Sequence, residues 1–276
     1  MLEVLSTTTA TTTAIVHLAE EAVHESGIHV ALAAEKLGEF FGLPITNTLV
    51  MSWAIMALLI VLAVIISRSV SLIPGRLQTA LEMVFGFAYD YIESILGSRD
   101  LARRFFPILA TTFLFIWIAN ALEFTPGVGS IIVHLPAESG HLAESVPLLR
   151  SVNTDLNMTL ALTLVAVFVI EFAGMITIGF WRYWNKFFTL KSPIASVVGI
   201  IEFVSEMARV ISFSFRLFGN IFAGEVLIAV VAFFVPYVLP VPLMAFEMFV
   251  GVVQAAIFTL LMLFFIKMAI TPVAEH

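Results

Sequence analysis

Cysteine is absent from this 276-residue chain, and charged side chains are scarce. Without cysteine the protein can form neither disulfide bonds nor thiolate metal sites, and it has no thiol nucleophile. Charged residues make up 12% of the sequence, about half their share in a soluble domain. The sequence also lacks a glycine-rich phosphate loop, so the common nucleotide-binding motif is missing. The net charge of −7 argues against a nucleic-acid partner.

Hydrophobic residues make up 61% of the chain, and its mean hydropathy is +1.06. Apolar runs of ~20 residues recur, which is the length of a transmembrane helix, whereas the strands of a membrane barrel alternate over ~10 residues. We therefore predict an all-α membrane protein with about five transmembrane helices and an interfacial amphipathic helix. The predicted spans cover about 46–67, 105–126, 154–181, 196–235 and 242–270.

The remaining segments have a different pattern. Residues 76–98 follow a Pro-Gly break and carry apolar residues at helical spacing with acids elsewhere, which is typical of an amphipathic helix at the membrane surface. Residues 1–40 lack the pattern of a signal peptide. Within residues 1–45, on the outer side, we expect a tail over 1–15 and a surface amphipathic helix over 16–41. The membrane domain is then 46–276. His17, Glu21 and His24 could share a helical face, but we favour a surface helix over a metal site.

The distribution of basic residues predicts the orientation. Only Lys36 and Arg150 fall on one predicted side of the membrane, and all other basic residues of the loops fall on the opposite side. By the positive-inside rule the N-terminus is outside and the C-terminus inside. Lys267, near the C-terminus, is expected to snorkel to the inner surface. We see no internal repeat, which disfavours an inverted-repeat transporter.

The stretch from Glu202 to Glu225 combines five ionisable side chains with a long apolar run. Each such group costs at least ~2.5–3.5 kcal/mol inside a bilayer, so these groups are expected to be functional. Glu225 lies off the stripe that the other polar residues form. At ~100° per residue, about 80° of arc contains Glu202, Glu206, Arg209, Arg216 and Asn220.

Arg216 stands apart because no acid lies three or four residues from it. An arginine does not lose its proton in a protein, so Arg216 cannot carry protons. A fixed positive charge instead favours the ionised form of a nearby carboxylate and keeps cations from passing. Acids lie on both sides of Arg216 along the predicted helix without forming a continuous line. This arrangement predicts two half-pathways separated by a gate.

A second group of polar residues is predicted in the outer half of the membrane. Glu247 and Gln254 are seven positions apart and share a helical face with Gly251 between them. A short turn makes the last two spans antiparallel, so Glu225 and Glu247 could line one wet cleft and share protons. Residues that could extend the cleft are Glu123, Asn120, Asp155 and Asn157.

Several of these acids have a simpler structural interpretation. Glu206 could pair with the arginine three residues later. We favour Asp155 as the N-cap of the third span over a role in proton transfer. Glu123 could be solvated and idle near the interface. Glu171 could be a buried partner of Arg209 or of another polar group, and the sequence does not decide between them.

Residues 216–225 (RLFGNIFAGE) resemble the signature of subunit a of F-type rotary ATP synthases. Four further motifs stand in the order found in that family. They are FFP at 105–107, DLNMTLAL at 155–162, IEFVS at 201–205 and QAAIF at 254–258. The resemblance covers about residues 105–270, and the first 45 residues contribute nothing to it.

The resemblance implies roles for individual residues. Arg216 matches the stator arginine that faces a carboxylate on each passing c subunit of a rotating ring, and the last two helices form a steeply tilted hairpin against that ring. Glu247 is an acid where some members have histidine. Positions linked to the outer half-channel are Asn220, Glu225, Glu247 and Gln254, with Glu123 at its entry. Positions linked to the inner half-channel are Glu202 and Ser205, to which we add Glu206.

We therefore predict the ion-translocating stator subunit of a rotary ATP synthase, which couples proton flow to ring rotation and is no enzyme by itself. The expected ion is H⁺, although the ring carboxylate on another chain decides between H⁺ and Na⁺. Expected partners are the c-ring, the peripheral-stalk b subunits and the rest of the synthase, in a bacterial inner membrane. No cofactor or metal is expected.

The alternatives are a stand-alone secondary transporter that binds an anionic substrate at Arg216, and a structural membrane scaffold. The arginine segment has no proline break of the kind a transporter site needs, and a scaffold gives Arg216 no task.

Overall fold

The computed structural model describes residues 34–40, 42–125, 128, 131–134, 145–185 and 193–271. Five of its helices are long and apolar enough to cross a membrane, which confirms the predicted number. The α-helices are α1 Asn47–Ser69, α2 Arg76–Leu96, α3 Arg99–Glu123, α4 Leu156–Ile178, α5 Phe180–Asn185, α6 Pro193–Phe234 and α7 Pro240–Ile270. The five that could span a membrane are α1, α3, α4, α6 and α7. A short 3-10 helix, Val152–Thr154, precedes α4.

Side chains and glycines with local hydrogen-bonding roles mark the helix ends. The Thr46 hydroxyl accepts a hydrogen bond from the Leu49 amide at the start of α1, at 3.3 Å. At the start of α4, the Asp155 carboxylate accepts a hydrogen bond from the Asn157 amide at 2.9 Å. Helix α2 ends at Leu96, and the capping residue Gly97 that follows it has a φ of 72°. Glycine adopts this left-handed conformation without the steric cost that a side chain would add.

Helix α3 begins at Arg99, six residues before the predicted span, and it contains Pro107. The apolar run predicted the membrane-crossing part alone, because Arg103 and Arg104 interrupt it. Both arginines are exposed, so the helix can continue past them into the polar region without burying a charge.

Helix α7 is central to the packing, since it contacts α2, α3, α4 and α6. The main core lies among these helices and includes Leu109, Ile170, Leu217 and Phe258. The rings of Phe213 and Phe258, on α6 and α7, lie 5.0 Å apart. In contrast, α1 exposes many apolar side chains, as expected of a helix that contacts lipid.

Helix α6 has 42 residues, or about 60 Å at 1.5 Å per residue. This length is about twice the ~30 Å hydrocarbon core of a bilayer. The helix must therefore tilt steeply or extend along the membrane surface. It packs against α7 after a short turn, as the predicted hairpin requires.

Two short antiparallel hairpins accompany the helices. Strand β1, Lys36–Phe40, pairs with β2, Leu43–Thr46, and β3, Ile132–His134, pairs with β4, Ser145–Pro147. The surface helix predicted over residues 16–41 is therefore wrong at its end. Gly42 has a φ of 78° and Pro44 follows it, so a turn replaces the helix there. The rest of that prediction, with His17, Glu21 and His24, lies outside the described residues.

Lys267 connects the end of α7 to the amphipathic helix. Its ammonium group donates a hydrogen bond to the carbonyl oxygen of Leu96, at 2.9 Å. This carbonyl lies at the C-terminal end of α2, where the helix carries partial negative charge. The bond ties the amphipathic helix to the end of α7, which we call the Lys267 end of the bundle. The Glu123 end is the opposite one.

Candidate functional site

Arg216 lies near the middle of α6 and its side chain is exposed. The guanidinium donates a hydrogen bond to the Ser212 hydroxyl at 3.4 Å. Among the residues that the structure describes, no carboxylate forms an ion pair with it. Leu217 and Phe213 cover the buried side of the helix. Arg216 therefore points away from the rest of this chain.

The face of α6 that carries Arg216 is lined by small residues. Ser205, Ala208, Ser212 and Ala223 are all exposed, and they recur near the same face at ~100° per residue. Small side chains allow another helix to approach closely. A cation in a membrane span needs a partner or water, and this face offers room for a helix that would supply one.

Toward the Glu123 end, a buried polar group joins α3, α7 and the 3-10 helix Val152–Thr154. The Asn120 amide donates to the carbonyl oxygen of Gly251 at 3.0 Å, and the Asn153 amide donates to Asn120 at 2.5 Å. A Cβ atom added at Gly251 would lie 2.8 Å from the Cβ of Asn120. Glycine at this position therefore permits the close contact of α3 and α7, with Gln254 buried one turn later.

Glu247 lies directly against α6. Only 8% of it is exposed, and a Cβ atom added at Gly224 would overlap its carboxyl group. Glu247 is thus packed on the residue that precedes Glu225. One polar atom in each of Asn220, Glu225 and Gln254 is buried without a hydrogen-bond partner among the described residues. A buried polar atom without a partner carries a free-energy cost, and such atoms are few in native proteins.

Glu123 joins this group. Its carboxylate accepts a hydrogen bond from the Ser151 hydroxyl at 3.0 Å, and it interacts electrostatically with Glu225, Glu247 and Arg150. The structure thus brings together three of the predicted outer acids, which we call the outer acid group: Glu123, Glu225 and Glu247.

Asp155 has the capping role that we favoured for it. Only 3% of it is exposed, and besides capping α4 it accepts a hydrogen bond from the Thr48 hydroxyl at 3.0 Å. The Asn157 side chain is exposed. No hydrogen bond in the described part of the chain links either residue to the outer acid group.

A separate polar cavity of about 330 Å³ lies toward the Lys267 end of α6. Arg209 donates to the Glu206 carboxylate at 2.5 Å and lies over the Phe265 ring, 3.8 Å from its centroid. The local ion pair considered for Glu206 is therefore present. The polar residues that line the cavity are Tyr183, Glu202, Ser205, Glu206 and Arg209.

Tyr183 is a site residue that the sequence did not indicate. Its side chain is buried, and its hydroxyl is hydrogen-bonded to Glu171, which answers the question of that acid's partner. Burial is the main reason why the pKa of Tyr183 is raised, and the bond with Glu171 raises it further. A Cβ atom at Gly174 would overlap the Tyr183 ring. In the sequence, the only sign of this contact is a glycine at position 174 and a tyrosine at position 183. The two residues can be recognised as partners only when α5 is known to fold back on α4.

The sequence model of the family described as ATP synthase A chain matches residues 49–267. The chain belongs to the ATP synthase subunit a family. ATP synthase subunit a of Gloeobacter violaceus is 35% identical over 83% of this chain and 86% of the relative. That of Moorella thermoacetica is 31% identical over 81% and 90%. A relative from Propionigenium modestum, named as sodium ion specific, is 31% identical over 90% and 80%.

Membership in the subunit a family confirms the resemblance found in the sequence. It implies translocation of protons or sodium ions in an F-type ATP synthase, and association with the rest of that complex. A subunit a belongs to the membrane sector of the synthase and is not an enzyme by itself. The five long apolar helices agree with a multi-pass membrane protein.

The contact of Glu247 with Gly224 gives a first prediction for this subunit a. Gly224→Val is expected to destabilise the α6–α7 contact, since overpacking typically costs ~1–3 kcal/mol. Adding Glu247→Ala should restore most of the stability, because it removes the carboxyl group that the valine would meet. Thermal unfolding of the purified complex measures the effect. Gly86→Val is the control, since a Cβ there meets no atom within 4 Å. Equal losses in the single and double variants would contradict the contact.

Proposed function

We propose that this subunit conducts protons through two offset half-channels that meet at Arg216, where the carboxylates of a rotating c-subunit ring exchange their protons. The observation that supports this most strongly is the position of Arg216. It is exposed on α6 between two separate polar groups. The distance along α6 from Glu206 to Glu225 is about 28 Å at 1.5 Å per residue, close to the thickness of the hydrocarbon core.

The outer half-channel is formed by the outer acid group with Asn220 and Gln254. Its carboxylates are close enough to interact, and interacting carboxylates share protons over a wider pH range than one group alone. One polar atom in each of Asn220, Glu225 and Gln254 has no hydrogen-bond partner in the described part of the chain. Each of these atoms can form a hydrogen bond with water. We leave two residues predicted for this path out of the proposal. Asp155 caps helix α4 and accepts a hydrogen bond from Thr48, and the Asn157 side chain is exposed.

The inner half-channel is the cavity that Glu202, Ser205 and Glu206 line. Glu206 is paired with Arg209. We assign uptake of the released proton to Glu202, because the family resemblance links its position to the inner half-channel and it lines this cavity. Tyr183 and Glu171 extend the path on the far side of the cavity. In this orientation the N-terminus is outside and the C-terminus is in the cytoplasm of a bacterium.

Arg216 keeps the facing ring carboxylate ionised until the ring has turned, and its fixed charge blocks direct flow between the half-channels. A proton that enters from outside neutralises a ring carboxylate, which then moves into lipid and releases its proton on the inner side after nearly a full rotation. One charge that crosses 100 mV supplies ~2.3 kcal/mol. This energy drives the ring, while peripheral-stalk b subunits hold the stator and other subunits make ATP.

Cysteine crosslinking tests the assignment of the ring-facing surface. Because this chain has no cysteine of its own, any crosslink from it must come from the cysteine that is introduced. A cysteine at exposed Ala223 should form a disulfide on oxidation with a cysteine placed one turn from the ring carboxylate. Ser214→Cys is the matched control, because Ser214 is buried and bonded to Thr159. The readout is the dimeric band on a non-reducing gel. Crosslinking at position 214 with none at 223 would overturn the proposed orientation of α6.

The structure gives no support to the secondary-transporter alternative. Arg216 lines neither of the described cavities, and α6 is unbroken from Pro193 to Phe234. A transporter that binds an anion at Arg216 would enclose it between helices of the same chain.

A further inference from the structure

A second cavity lies away from the proposed ion path, between α2, α3 and α7. Its volume is about 360 Å³, within the ~300–1,000 Å³ typical of ligand sites. Its wall is almost entirely apolar, with aliphatic side chains and the aromatic rings of Phe85, Phe87, Phe106 and Phe113. The hydroxyl of Thr259 in its wall is already bonded to the Ala255 carbonyl at 2.9 Å. The cavity, called here the α2 cavity, is therefore suited to a hydrocarbon chain.

Positive charges lie at one end of the α2 cavity. At ~100° per residue, Arg99 and Arg103 fall within about 60° of the centre of the α3 face that lines it, whereas Arg104 falls about 150° away. Both Arg99 and Arg103 are exposed. They precede Phe106 of the cavity wall along α3, so the wall continues into a cationic end. Lys267, bonded to Leu96, adds a third positive charge at this end of the bundle.

The acids of the two helices point elsewhere. On α2, Glu82, Asp90 and Glu93 all lie more than about 130° from the centre of the cavity face, and on α3 Asp100 lies about 110° from it. The hydroxyl of Tyr89 donates to the Arg99 carbonyl at 3.2 Å, which fixes the end of α2 beside the start of α3. The end of the cavity is thus cationic without nearby acids on its own face.

We propose that the α2 cavity binds an acyl chain of an anionic phospholipid whose phosphate lies against Arg99 and Arg103. Basic pockets beside transmembrane helices bind anionic lipid headgroups, and arginine pairs with phosphate through two parallel hydrogen bonds. A transmembrane helix of another subunit would match the apolar wall but would leave the two arginines without anions. With the proposed orientation, the lipid belongs to the cytoplasmic leaflet.

Photolabelling of the whole ATP synthase complex tests the proposal. The complex is reconstituted in phosphatidylcholine vesicles with a trace of phosphatidylglycerol or phosphatidylcholine that carries a diazirine on one acyl chain. After illumination, mass spectrometry identifies the labelled peptides. The phosphatidylglycerol probe is expected to label α2 and α3 residues of the cavity at least about tenfold more than the phosphatidylcholine probe. The reason is that each of the two arginines attracts an anionic lipid more strongly than a lipid without net charge.

Matched variants make the result specific. Arg99→Gln with Arg103→Gln should lower phosphatidylglycerol labelling about tenfold, Arg99→Lys with Arg103→Lys should retain most of it, and Arg104→Gln should leave it unchanged. Ala110→Phe fills the cavity and should lower labelling by both probes. Equal labelling by the two probes would show lipid contact without a site. Cavity peptides that stay unlabelled while α1 is labelled would show that another protein segment covers the cavity. Either result overturns the proposal.

Discussion

Arg216→Ala is expected to abolish ATP-driven proton pumping by the assembled synthase, with a loss of at least about a hundredfold. The proposed mechanism requires an ionised ring carboxylate at the stator surface, and Arg216 supplies the only opposing charge on that face of α6 in the described part of the chain. Without it, an ionised group within the membrane costs at least ~2.5–3.5 kcal/mol, and each 1.4 kcal/mol corresponds to a factor of about ten.

The measurement uses inverted vesicles, in which ATP addition acidifies the lumen and quenches a pH-sensitive dye. Arg104→Ala removes an exposed arginine at the membrane surface and should pump normally. Arg216→Lys keeps the charge without the planar fork and should fall between the two. Passive proton flow through Arg216→Ala membranes should not decline together with pumping, because the fixed charge also separates the half-channels. Pumping retained in Arg216→Ala would remove this residue from the mechanism.

The sequence predicted the polar stripe of α6, but it did not predict which of its side chains pack against α7 and which are exposed. Helical periodicity placed Glu206, Arg209 and Arg216 on one face. In the structure Arg209 turns toward α7 and lies over Phe265, while Arg216 is exposed. Periodicity along one helix cannot make this distinction, since it depends on where α7 packs and where the helix is left free for another chain.

Contacts between distant segments were the least predictable part of the fold. Lys267 bonds to a carbonyl on α2, and Tyr183 folds back onto Gly174 and Glu171. Sequence spacing cannot identify the Leu96 carbonyl as the partner of Lys267 or Glu171 as the partner of Tyr183, because both contacts depend on how the helices pack. The outer acids were easier to group, because the short turn between α6 and α7 fixes which ends of these helices are neighbours.

Neutralising Glu225 and Glu247 together is expected to lower proton flux far more than either change alone. Each single change, Glu225→Gln or Glu247→Gln, leaves one titratable group beside Glu123 and should reduce flux several-fold. The double variant should lose about a hundredfold, since residues that share one function give non-additive effects. Glu82→Gln, an exposed acid on α2, is the control and should leave flux unchanged.

Two features separate proton transfer from packing in this test. Glutamine keeps the shape of glutamate, so the contact of Glu247 with Gly224 survives and complex stability should stay close to that of the parent. Glu247→His keeps a titratable group at the same position and should retain more flux than Glu247→Gln. Flux is measured as proton uptake into vesicles driven by an imposed potential. If the double variant conducts as well as the parent, Glu225 and Glu247 do not carry the protons. A fall in stability equal to the fall in flux would instead assign them a structural role.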